Sequence, residues 1–66
     1  MYKNLPKNYG IRKWEDYKGY IIEIFDCDPY HYGLVKNHNG KVIKETDVFN
    51  PKDDDKVIQD LKKWIS

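Results

Sequence analysis

Residues 49–65 read Phe-Asn-Pro-Lys-Asp-Asp-Asp-Lys-Val-Ile-Gln-Asp-Leu-Lys-Lys-Trp-Ile, and this stretch decides the fold. Asn50 is a good N-cap. Pro51 suits the first helical position, where its missing N–H would be unpaired in any case, and Asp53 falls near the positive end of the helix dipole. Val57, Ile58, Leu61, Trp64 and Ile65 then recur at i, i+1, i+4, i+7 and i+8, which is one face of an α-helix. Lys62 and Lys63 occupy the last turn, where cations are favoured. The pattern predicts an amphipathic helix over residues 51–65, and its apolar face needs a surface to lie on.

That surface is expected upstream. Tyr20-Ile21-Ile22-Glu23-Ile24-Phe25 is short, β-branched and aromatic, and turn residues bound it on both sides: Gly19 before, Asp26-Cys27-Asp28-Pro29 after. Tyr20, Ile22 and Ile24 point to one face and Ile21, Glu23 and Phe25 to the other, so both faces carry apolar mass and the strand is central. Residues 30–36 form the next strand, with Tyr30, Tyr32 and Leu34 on one face and His31, Gly33 and Val35 on the other. Asn37-His38-Asn39-Gly40-Lys41 fits a three-residue hairpin loop, a type I turn closed by a left-handed glycine. That loop sets Asn37 opposite Lys41 and Val35 opposite Ile43. A strand over residues 41–48 completes the meander. Ile11, Trp14 and Tyr17 recur at threes, but Trp and Tyr favour a pleated surface, and residues 11–17 read as an extended segment. The expected fold is α+β: an antiparallel meander of three strands, four if residues 11–17 pair, with one C-terminal helix packed on one face. Residues 1–10, broken by Asn4, Pro6, Asn8 and Gly10, read as an N-terminal arm of a single small domain, 1–66.

Size and composition narrow the function. A 66-residue chain buries only about 60% of the surface its unfolded form exposes, which leaves little room for an enzyme cleft and makes a homodimer a live expectation. Net charge is +1, so the strongest sign of nonspecific nucleic-acid or membrane-surface binding is missing. No apolar run approaches the ~20 residues that span a bilayer, and no membrane partner is expected. A single cysteine, Cys27, rules out an intrachain disulfide and makes a reducing, cytoplasmic location the default expectation.

Candidate chemistry is sparse. Zinc needs four ligands at compact spacing, and Cys27, His31 and His38 supply one half-motif and a distant hairpin histidine, so no metal site is expected. Asp53, Asp54 and Asp55 lack the alternation and closing glutamate of a calcium loop and are explained by the helix dipole. Cys27 with His31 is the one conceivable nucleophile pair, without an orienting third residue. No Gly-rich phosphate cradle exists among Gly10, Gly19, Gly33 and Gly40. No enzyme and no cofactor are expected.

Two binding readings follow. One amphipathic helix covers one side of a thin sheet, so the other side is open to a partner. Tyr20, Tyr30 and Tyr32, with Trp14 and Tyr17 near, are the candidates for an aromatic protein-interaction patch there, and an open strand edge offers a second route to a protein partner. The first expectation is therefore a small binding or regulatory module. By association of size and Lys/Asn/Ile/Tyr-rich composition, such chains look like bacterial or phage accessory or inhibitor proteins. The alternative is nucleic acid. Residues 1–18 carry a charge of +3 while residues 19–50 carry −2, and Tyr9, Arg12, Lys13 and Lys18 combine an aromatic ring with phosphate-binding charge. The order of three strands then a helix, over about residues 19–65 and without a specific motif, resembles the arm-site DNA-binding domains of tyrosine integrases. The resemblance implies a sheet that enters the major groove. Those sheets are rich in Arg and Lys, whereas Glu23, Asp26, Asp28, Glu45 and Asp47 occupy this meander.

Overall fold

The structure is a computed structural model and describes residues 10–66. The expected arm, apart from Gly10, and with it Tyr9, lies outside the described residues. Four strands run as β1 (Ile11–Tyr17), β2 (Tyr20–Cys27), β3 (Tyr30–Lys36) and β4 (Val42–Glu45). They pair in the order β1-β2-β3-β4, each neighbour antiparallel. A 3-10 turn, Pro51–Asp53, leads into the helix α1, Asp54–Ile65. The α+β class is as the sequence indicates, and residues 11–17 are the fourth strand.

Each turn follows from its residues. Lys18 and Gly19 both have positive φ, 52° and 85°, the combination a two-residue hairpin needs to match strand twist. Asp28-Pro29 joins β2 to β3 through a cis peptide. At the third turn Gly40 N–H donates to Asn37 O at 2.9 Å and Gly40 has φ 82°. The Asn37 side chain accepts from Asn39 N–H and Lys41 N–H, so one Asx residue organises the whole loop. Asn37 N–H also donates to Lys41 O, as the three-residue loop requires. The register beyond it differs from expectation. Val35 pairs with Lys44 rather than Ile43, because the ladder shifts between the Lys36–Val42 and Val35–Lys44 pairs and Ile43 is the extra residue.

The last strand is also shorter than expected, ending at Glu45 rather than at residue 48. Thr46 is the reason. Its N–H donates to Gly33 O, but its hydroxyl, not its carbonyl, accepts from Gly33 N–H at 2.8 Å and then donates to Asp47 O. The main chain leaves the ladder there. It returns at Phe49, which exchanges both main-chain hydrogen bonds with His31 at 2.9 and 2.7 Å. Between these two contacts Asp47 and Val48 stand against Tyr32 alone, so they loop outward.

The two faces can now be assigned. Ile22, Ile24 and Val35 are fully buried and form the core with Ile58 and Leu61 of α1. Gly33 permits this approach by its lack of volume. A Cβ there would meet Ile24 Cδ1 at 3.1 Å and Leu61 Cδ1 at 3.5 Å. Tyr17 and Tyr20 pack against the same core. The opposite face carries Trp14, which pairs with Glu23, and Tyr32, which pairs with Phe25. The five-residue aromatic patch expected on that face is therefore split. The Cys27–Tyr30 pairing fixes Tyr30 and Tyr32 on the side of Phe25 and leaves Tyr20 and Tyr17 beneath the helix.

Candidate functional site

α1 does not sit evenly over the sheet. Three β1 side chains that alternate toward the helix hold one flank of it. Lys13 Nζ lies 3.3 Å from Asp55 and 3.7 Å from Asp54, Glu15 pairs with Lys62, and Tyr17 Oη lies 3.1 Å from Ser66 Oγ. These contacts run from the first helical turn to the last residue. At the N-terminal end a further contact crosses the layer: His31 Nδ1 is 2.8 Å from Asp54 Oδ1, and both side chains are nearly buried. Because the carboxylate can only accept, the ring nitrogen donates. Asn50 caps the turn ahead of it, accepting from Lys52 N–H at 3.1 Å, as expected of an N-cap.

The other flank of α1 is open. Residues at 57, 60, 61 and 64 centre about half a turn around the helix from Asp55, Lys62 and Ser66, at the spacings set by 3.6 residues per turn. Val57, Asp60, Leu61 and Trp64 form one wall of a groove of about 600 Å³. The other wall is the chain from Lys44 to Phe49, including the looped-out Asp47 and Val48. Trp64 is 48% exposed and Val48 45%. Trp64, expected on the core face, lies at the edge of that stripe, with Lys44 Nζ 5.5 Å from its ring centre. The groove wall offers no histidine, cysteine or serine, and the hydroxyl of Thr46 is already used by the main chain. The arrangement suits binding through apolar contact with a charged rim.

The sequence-derived candidates fare unevenly. On the face away from the helix, Trp14 is 62% and Tyr30 48% exposed, but Tyr32 is 3% exposed and stacks on Phe25 with ring centres 5.3 Å apart. Tyr17 and Tyr20 are on the helix side. Among the basic set, Lys13 is held by two carboxylates, Lys18 Nζ lies 5.6 Å from the Tyr17 ring in the β1–β2 turn, and Arg12 is the extra residue of a β1 bulge. These three do not form one stripe. Cys27 and His31 fall on opposite faces, because Cys27 pairs with Tyr30 and His31 with Asp26. Among the described residues no group of three or more His, Cys, Asp or Glu is placed to hold a metal ion, and no helix is long and apolar enough to cross a membrane. The groove and the Asp54–His31 contact are the features the sequence reading missed. Val48, an apolar residue just ahead of the Asn50-Pro51 helix start, was the signal for the first.

Comparison with known proteins gives no matching family model, no matching curated protein and no matching solved structure.

Proposed function

We propose that this chain is a non-enzymatic protein-interaction module that receives a segment of a partner in the groove between α1 and residues 44–49. The observation that carries this reading is the pair of half-exposed apolar residues, Trp64 and Val48, one on each wall of the groove. Large aromatic side chains in such settings commonly dominate binding energy. The open sheet face supports the reading less well, since the expected patch is divided between two faces and its central ring, Tyr32, is buried. The groove lies beside β4, the last strand in the order, so the reading belongs to the strand-edge class of recognition.

Panning a random-peptide library on the immobilised protein tests it. Selected peptides are expected to lose affinity by about tenfold or more toward Val48→Arg, which fills the groove mouth from an exposed loop, and to keep it toward Trp14→Ala on the other face. The opposite ranking would place binding on the sheet face and overturn the groove assignment.

A further inference from the structure

The groove has a sign as well as a shape. We infer that its occupant is an extended segment of a partner protein in which a large apolar side chain is flanked by lysine or arginine. This rests on the groove reading above and names the ligand's chemistry. The apolar part comes from Trp64, Val57 and Val48. The charge comes from the rim. Asp47 is exposed, and its carboxylate has no ion-pair partner among the described residues, whereas Glu45 pairs with Leu34 and so points to the face away from the helix. Asp60 is held only by Lys56, at 3.3 Å, one helical turn away and in solvent, a pair that gives way readily to a competing cation. Lys44, the single basic residue of the lining, lies over the Trp64 ring instead of beside a carboxylate. On the groove side Asp47 and Asp60 therefore outnumber Lys44 two to one around an apolar floor, and complementary charge on the ligand is what such a rim selects.

The position of the wall favours an extended chain. Residues 44–49 run alongside β3 from Val35 to His31, about 13 Å at ~3.3 Å per residue. β4 also has one side of its main chain without a neighbouring strand among the described residues, so an extended ligand can add main-chain hydrogen bonds there.

Two labelled synthetic peptides of about eight residues, the length of the wall plus one residue at each end, test this by fluorescence anisotropy. Both carry a central leucine. One has flanking lysines, and its mate has glutamate at every lysine position. The lysine peptide is expected to bind about tenfold or more tighter than its mate, and Asp47→Lys with Asp60→Lys is expected to remove that preference. Equal binding, or tighter binding of the glutamate peptide, overturns the charge assignment and leaves the groove reading to the panned peptides and Val48→Arg. A lysine preference that survives both reversals overturns it too, because the preference then arises elsewhere. Absence of binding by either peptide likewise overturns the proposed ligand class.

Discussion

Ile24→Ala is expected to destabilise the protein by about 3 kcal/mol, the middle of the range for removing a buried isoleucine to alanine. Ile24 is fully buried at the centre of the sheet, against Gly33 on β3 and beneath Leu61 of α1. The space it leaves cannot be refilled from β3, because Gly33 has no side chain to move. A domain this small has a total stability of only a few kcal/mol, so the variant is expected to be largely unfolded at 37 °C. By the usual scaling, about 3 kcal/mol lowers the melting temperature by roughly 12–24 °C. Ile43→Ala, at the exposed β4 bulge, is the control and should cost less than about 1 kcal/mol. Melting followed by circular dichroism compares the two. Equal midpoints would mean that the core does not sit between β2, β3 and α1.

The second large effect is expected at Asp54. This carboxylate is buried at the start of the helix, accepts from His31 at 2.8 Å and lies 3.7 Å from Lys13. Asp54→Ala removes a helix-dipole partner and strands the His31 N–H in a nearly closed site. Leaving a buried donor unpaired costs about 1–3 kcal/mol, and a loss of about 2 kcal/mol is expected. Asp54→Asn keeps an acceptor oxygen and should recover about half of that. Asp55→Ala is the informative neighbour. Its side chain is 93% exposed although it too reaches Lys13, so its ion pair should be worth under about 1 kcal/mol. Urea titration of the three variants checks the ranking. If Asp54→Ala and Asp55→Ala lose the same amount, the contact between His31 and the helix does not hold the two layers together.

These two sites show what a sequence of this kind discloses. The strand around Ile24 was legible as a local pattern, but its core face was not, because the expected patch set Tyr20, and with it Ile22 and Ile24, opposite the helix. The Asn50-Pro51 start, the hairpin at Asn37–Lys41 and the central position of β2 were legible for the same reason: each is a local pattern with one physical solution. The Asp54–His31 contact was not. The two residues are 23 positions apart, and their meeting depends on how far along the sheet the helix begins. The grouping of tyrosines failed one step earlier, at register. The two-residue connection Asp28-Pro29 sets Tyr32 against Phe25, and that single pairing moves Tyr20 to the other side of the sheet. Likewise Ile43 and Thr46 each disturb the β3–β4 ladder through a bulge or a side-chain substitute for a carbonyl. Such departures decide which apolar groups stay in water, and period-two reading does not detect them.

The site follows from the same asymmetry. Polar contacts from Lys13, Glu15 and Tyr17 fasten the β1 flank of α1, whereas among the described residues no ion pair or side-chain hydrogen bond joins its other flank to β4, where Lys44 lies over the Trp64 ring. Trp64 and Val48 line the resulting gap. The two tryptophans make this directly measurable, since Trp64 lines the groove and Trp14 lies on the opposite face. Acrylamide quenching of Trp14→Phe and Trp64→Phe, each with and without a panned peptide, reads one indole at a time. The account predicts that bound peptide shields Trp64 and leaves Trp14 as accessible as before. Shielding of Trp14 with Trp64 unchanged would contradict it.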